Sequence, residues 1–396
     1  MIIRKINKLS LIILFLFFIF STGLYFIFSP DLDESHVEYR TLAQQPDMTV
    51  DSFANGEYIK DYEEYFTDQF PGRNIWLKLY LNLEKLTGKT FLNGYLVKED
   101  GWIIPEPNDT FTKHPLNLAT SNLNEFADFA SKTGAEIYFF LLPHKVNTVE
   151  VDTPSYINKG VNEEKRNYFI SNVSKENLKF VNLGDIFKEK FSQDEINQMY
   201  FKTDHHWNIT GAFNGYKEIT NFLSDNSQYF TEVENEYITK CYNKNFEGSY
   251  NRQVYNIVDL KTDRICETLP KDNKFSEFKV SVNGNKSSFE EVYGSGIETK
   301  SKLIYADVFT FDLRKINITN PNLKKGNILI VKDSYGSPII FHLAQHYNKT
   351  TVVDLRHSKK QDLVTMVKEN EYDSIMFLYN DAALQGDLYE FRKAPK

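Results

Sequence analysis

The stretch that decides the fold is NILIVKDSYGSPIIFHLAQHYNKTTVVDL, Asn327 to Leu355. Asn327 to Ser334 is a short apolar run that reads as a strand buried on both faces, Ile339 to Tyr347 has helical spacing, and Thr350 to Leu355 is apolar again. The same alternation continues with a helix over Gln361 to Asn370 and a strand, DSIMFLYN, over Asp373 to Asn380. It also precedes this stretch. Leu116 to Lys132 is helical in pattern and leads to AEIYFFLLP, Ala135 to Pro143, while Glu164 to Glu176 leads to LKFVNLGD, Leu178 to Asp185. Apolar strands alternating with amphipathic helices predict an α/β fold, with a mostly parallel sheet covered by helices on both faces.

The chain has 396 residues, 41% hydrophobic and 25% charged, enough for a large core, so global disorder is excluded. The net charge of -8, and the lack of any basic cluster interleaved with exposed aromatics, make nucleic acid an unexpected partner. Leu9 to Phe28 carries no charge and follows Arg4, Lys5 and Lys8, whereas Asp31, Asp33 and Glu34 stand on its other side. About 20 apolar residues span a bilayer, and the basic flank predicts a single-pass anchor with a cytoplasmic N-terminus. A cleaved signal peptide is the competing reading, although no A-x-A-like site follows the run. The expected layout is residues 1–8 cytoplasmic, 9–28 transmembrane, 29–56 a polar stalk, and 57–396 the folded domain outside the cell. Within that domain, YFTDQFPGRNIWLKLYLNLEKLTG reads as a long amphipathic helix with Ile75, Leu79, Leu83 and Leu86 on its apolar face. A hairpin turning at Lys98 to Gly101 follows it, and a smaller β-rich insertion is expected at about 226–320. Cys241 and Cys266 both fall on the outer side, where a bridge and two buried free thiols are alternatives.

Chemistry concentrates in two places. In MYFKTDHHWNITGAFNGYKEI, Met199 to Ile219, a helical stripe of Ala212, Phe213, Tyr216, Ile219 and Leu223 places Asp204 to Trp207 in the loop before a helix that Asn208 or Thr210 caps. Asp204 and His206, two apart in extended chain, point the same way, which suits an aspartate that orients its histidine. Ser334 follows a buried strand and is expected to open a helix, where free N–H groups favour an oxyanion. A serine is inert without a base, and His206 is the candidate. Trp207 reads as core or wall, and His205 as a neighbour of the base. A zinc site of Asp204, His205, His206 and His144 is a further reading, unsupported by any helix-borne histidine pair or cysteine ligand; no metal or other cofactor is expected.

These residues resemble one family, the DHHW proteins, relatives of the alginate O-acetyltransferases within the SGNH-hydrolase-like superfamily. The resemblance rests on Thr203-Asp204-His205-His206-Trp207 and Val331-Lys332-Asp333-Ser334-Tyr335-Gly336, with weaker echoes in Asp68 to Arg73, Gly101-Trp102, Pro143-His144-Lys145 and Asp354-Leu355-Arg356. It implies a catalytic Asp204, His206 and Ser334 in permuted order, since ordinary SGNH hydrolases carry the serine first. Arg356, His205, Lys145, Tyr379 and Asn380 are expected to serve substrate or oxyanion, near the carboxyl ends of the strands. The activity implied is extracytoplasmic O-acyl transfer, with acetyl as the group, to an exopolysaccharide or cell-wall glycan. A membrane-bound O-acyltransferase would supply the acyl group from across the membrane. A carbohydrate esterase using the same three residues is one alternative. A non-catalytic glycan-binding or scaffolding protein is the other.

Overall fold

The computed structural model describes residues 2–35, 37–38, 40–294, 296–309, 313, 315–357 and 363–391, with the backbone alone for 2–8. Two compact units divide the chain, one of residues up to Asn93 together with 251–257, the other of 94–250 with 258 onward.

The smaller unit holds helix α1 (Ile2–Phe28), α2 (Glu57–Asp68) and α3 (Arg73–Leu86). Segment Leu9–Phe28 of α1 is long and apolar enough to cross a membrane, and none of it is buried. Residues 29–56 are not the loose stalk expected. Arg40 forks onto both oxygens of Asp68 at 2.7 and 2.5 Å, and Gln69 donates to the carbonyls of Leu32 and Ala43, so this segment folds onto the end of α2. The division expected at residue 57 therefore falls near 93, because α2 and α3 group with the N-terminal segment. The single long helix is two helices, since Pro71 and the left-handed Gly72 (φ 68°) break it. Its stripe of Ile75, Leu79, Leu83 and Leu86 is exposed.

The larger unit is built on an eight-stranded sheet: β1 (Glu136–Leu142), β2 (Lys179–Asn182), β3 (Lys279–Val282), β4 (Asn285–Ser287), β5 (Lys315–Thr319), β6 (Asn327–Lys332), β7 (Lys349–Val353) and β8 (Ser374–Asn380). Their spatial order is β4-β3-β5-β7-β6-β8-β1-β2. The five strands from β7 to β2 run parallel, and β5, β3 and β4 extend the edge antiparallel. Alternate residues feed two cores. Tyr138, Phe140, Ile328, Ile330 and Met376 face one side, packed with α6 (Leu183–Lys190), α7 (Ile209–Asn226) and α8 (Ile340–Ala344). Ile137, Phe139, Leu329, Val331 and Phe377 face the other, packed with α4 (Lys113–Ser131), α5 (Asn162–Asn172) and α9 (Leu363–Glu369). Both faces being covered explains the unbroken apolar runs in the sequence. Residues 361 and 362 of the expected last helix lie outside the described residues.

The insertion expected at about 226–320 does not stand apart. Its strands β3, β4 and β5 complete the main sheet, and a separate ribbon pairs Tyr237–Cys241 with Cys266–Pro270, where Cys241 and Cys266 are bonded as a disulfide. The expected hairpin is present as Tyr95–Val97 and Ile103–Pro105.

Candidate functional site

Asn208 caps α7, its side-chain oxygen accepting from the N–H of Thr210 and Gly211, which leaves Asp204 to Trp207 in the loop before the helix. Trp207 is fully buried against α7; a Cβ at Gly215 would meet the indole ring, and one at Gly211 would meet the Met199 carbonyl and the Trp207 Cβ. Its Nε1 donates to the carbonyl of Tyr335 at 3.1 Å, tying this loop to the turn after β6. That tie brings two segments 128 residues apart together.

At their junction His206 Nε2 lies 2.9 Å from Ser334 Oγ, and His206 Nδ1 lies 2.7 Å from Asp204 Oδ1. Asp204 also accepts from the N–H of His206 (2.9 Å) and, through Oδ2, from the N–H of Ser249 (2.6 Å). Burial would raise its carboxyl, but His206 and His205 beside it, with the His206 and Ser249 hydrogen bonds, hold it well below the usual carboxylate range. An ionised Asp204 takes the Nδ1–H and leaves Nε2 as the basic nitrogen facing the serine. Tyr305 stacks on His206 with centroids 3.6 Å apart and planes within 2°, and its hydroxyl donates to the Ser334 carbonyl at 3.2 Å. Tyr305 thus braces the His206 ring by stacking while its hydroxyl holds the backbone of Ser334.

Ser334 opens a turn rather than the expected helix. The N–H of Tyr335 goes to Asp333 Oδ1, that of Gly336 to the Asp333 carbonyl and that of Ser337 to the Ser334 carbonyl, so helix begins only after the 3-10 turn Ser337–Ile339. The Ser334 N–H itself has no hydrogen-bond partner among the described residues, and Ser334 is partly exposed. It is one free donor beside the hydroxyl, placed to meet an oxyanion.

The other expected residues divide. His205 stays at the site, its ring 3.7 Å from that of His206 and its Nδ1 2.6 Å from Ser249 Oγ. Lys145 does not face a substrate. It is fully buried, donating to the carbonyls of Ile103, Lys202 and Asp204 at 3.1, 2.7 and 2.9 Å, between the rings of Trp102 and Tyr250. Burial pulls its ammonium down to about 7, against the pull of Asp263 and Asp204. Asp263 holds the same loop from its N–H groups, accepting from Lys202, Thr203 and the Thr203 hydroxyl. Arg356 is forked onto Asp354 at 3.0 and 2.6 Å. Tyr379 points into the opposite core and donates to the Leu388 carbonyl, because it alternates with Leu378 on β8. Asn380 donates to Asp333 and accepts from Ala382 and Ala383, so it shapes a turn.

The donor atoms of Asp204, His205 and His206 lie within 4.8 Å of one another, but they are spent on Ser249, Ser334 and each other. Sequence reasoning missed Ser249, Gly248 and Tyr305, all in the insertion. A Cβ at Gly248 would collide with the Thr203 carbonyl, so only glycine lets Ser249 reach Asp204.

A strand-end serine, a histidine and an aspartate ahead of it in sequence, on a mostly parallel sheet, define an SGNH-hydrolase-like protein of permuted order. Residues 96–271 match the family described as SGNH hydrolase-like domain, acetyltransferase AlgX. Among solved structures the chain is similar to Bacillus cereus PatB1, at 31% identity over 75% of this chain and 99% of that one, with a TM-score of 0.68. A second PatB1 structure, with a sulfonyl adduct, matches at 28% identity over 76% and 97%, with a TM-score of 0.66. A DHHW family protein from Eubacterium siraeum shares the fold at 17% identity over 76% and 94%, with a TM-score of 0.59. No curated protein sequence matches the chain. The chain belongs to the family of PatB1, and its residues 96–271 carry the SGNH-hydrolase-like domain described for the acetyltransferase AlgX.

Proposed function

We propose that this chain is an extracytoplasmic O-acyltransferase, carrying acetyl, that acylates itself at Ser334 and passes the group to a hydroxyl of an exopolysaccharide or cell-wall glycan. The observation that carries the reading is the hydrogen-bonded chain from Ser334 Oγ through His206 to Asp204, beside an unused Ser334 N–H. Ser334 Oγ attacks the donor's acyl carbonyl as its proton passes to His206 Nε2, and the imidazolium is stabilised by Asp204. The Ser334 N–H meets the oxyanion. The bond to the donor's leaving group breaks, and that group takes the proton from His206. A sugar hydroxyl then gives its proton to His206 and attacks the acyl-serine, which restores the Ser334 hydroxyl.

The apolar Leu9–Phe28 helix supports tethering at a membrane, with the N-terminus cytoplasmic and the site outside. Acetyl-CoA is not available there, so the donor is an acyl group delivered by a membrane-bound O-acyltransferase partner. The test incubates the purified chain with an activated acetyl ester and reads Ser334 by mass spectrometry. Acetyl on Ser334, discharged faster by a glycan hydroxyl than by water, is the expected result; rapid discharge to water alone makes it an esterase. No adduct on a folded chain, with Ser334→Ala behaving like the parent, overturns the reading. A sulfonyl fluoride should mark the same serine, and the sulfonyl adduct carried by PatB1 makes it the natural second probe.

A further inference from the structure

We propose that α3 is a membrane-embedded contact of its own, seated by its apolar face in the outer leaflet beside the span formed by Leu9–Phe28. The inference rests on reading that span as a membrane anchor. The observation behind it is that α3 leaves a continuous apolar stripe uncovered along its length. Ile75, Trp76, Leu79, Tyr80, Leu83 and Leu86 form one stripe, and all six are exposed. On the rest of the helix Leu81 is buried, Arg73 pairs with Glu38 at 3.0 Å, and Lys78, though exposed, donates to the Asn256 carbonyl at 2.7 Å. A helix in water shows its apolar stripe to a core and its charges to solvent, and soluble monomers rarely leave so continuous an apolar face uncovered.

Lipid is the occupant because of what already touches this face. The Trp76 ring packs edge-on against Phe18, with centroids 6.1 Å apart. Phe18 lies ten residues before the end of the apolar span, which is roughly 15 Å along a helix. A ring touching it is at acyl-chain depth when the span crosses a bilayer. Phe26, nearer the outer end, packs on Tyr65 and Phe66 of α2, so both helices line the outer half of the span. Trp76 and Tyr80 on the stripe, with Lys85 and Lys89 at its far end, are the residue types that hold a helix at a lipid surface.

The experiment reads native fluorescence from the full chain in phosphatidylcholine vesicles whose acyl chains carry bromine at different depths. The other two tryptophans, Trp102 and Trp207, are buried in the larger unit. The expected result is loss of Trp76 emission in brominated vesicles, absent from Trp76→Phe and weakened in Leu79→Glu/Leu83→Glu, while all three proteins still float with the vesicles. Floating without quenching overturns the proposal and leaves the anchor reading intact, making this face a protein-docking surface. Failure to float overturns both.

Discussion

His206 can serve as a base only while Asp204 fixes its tautomer, and the two bonds Asp204 takes from the His206 and Ser249 N–H groups fix Asp204 in turn. Ser334→Ala should therefore remove acyl-enzyme formation by at least about a thousandfold. Asp204→Asn, with the geometry kept but the wrong tautomer favoured, should slow it by about a hundred- to ten-thousandfold, read as the rate of acetyl loading. Asp204 also contributes to stability. Its carboxyl sits well below the usual range in the folded chain, so its contribution is full above the pH where a free aspartate titrates and is lost as pH falls through the lower folded value. Urea midpoints measured across the acid range should fall less steeply for Asp204→Asn. Lys145→Met would leave the buried carbonyls of Ile103 and Asp204 without this donor, at about 1–3 kcal/mol for each left unpaired, whereas the Lys202 carbonyl keeps the Ile103 N–H. It should lower the urea midpoint and acetyl loading together. The Asp-x-His and the strand-end serine were legible in the sequence because each is local. The role of Lys145 was not, since nothing in Pro143-His144-Lys145 says that its side chain turns inward to a loop 59 residues away.

Elements carry a different kind of information. The strand and helix alternation was legible because the apolar runs are bounded by glycine, proline and polar turns, and five parallel strands follow from it. What periodicity leaves open is which face a side chain takes when both faces are apolar. Tyr379 went to the wrong core for that reason, and the α3 stripe was recognised as a stripe without its direction being known. The insertion was opaque because its strands are short and its contacts long-range, yet it supplies Gly248, Ser249 and Tyr305. Gly248→Ala should push the Thr203 carbonyl away and loosen the Ser249 bond to Asp204, giving slower acetyl loading in a chain that remains folded by circular dichroism. The Cys241–Cys266 bridge joins partners 25 residues apart within one antiparallel ribbon. Replacing both with serine should cost about 2–4 kcal/mol, measured by urea titration.

At the scale of the whole molecule, the site belongs to the larger unit, but the chain does not divide there by one cut. Asp204, His206, Ser249, Tyr305 and Ser334 all lie in 94–250 or 258–396, whereas the short run 251–257 belongs with the N-terminal residues. Within that smaller unit Tyr255 donates to Glu38, Lys78 to the Asn256 carbonyl and Asn93 to the Gln253 carbonyl, so these seven residues are held by α3 and by the turns at Glu38 and Asn93. Ser249, whose N–H holds Asp204, stands two residues ahead of this run in sequence. Truncation is therefore predicted to act in two steps. Removing residues 1–30 takes away the apolar span but leaves the Glu38, Lys78 and Asn93 contacts, and acetyl loading of Ser334 by an activated ester should be unchanged. Removing residues 1–93 strips all three partners from 251–257, frees the chain just past Ser249, and should slow loading and lower the thermal midpoint together. Equal loading by both truncated chains would mean that the 251–257 segment does not help to hold Ser249 against Asp204.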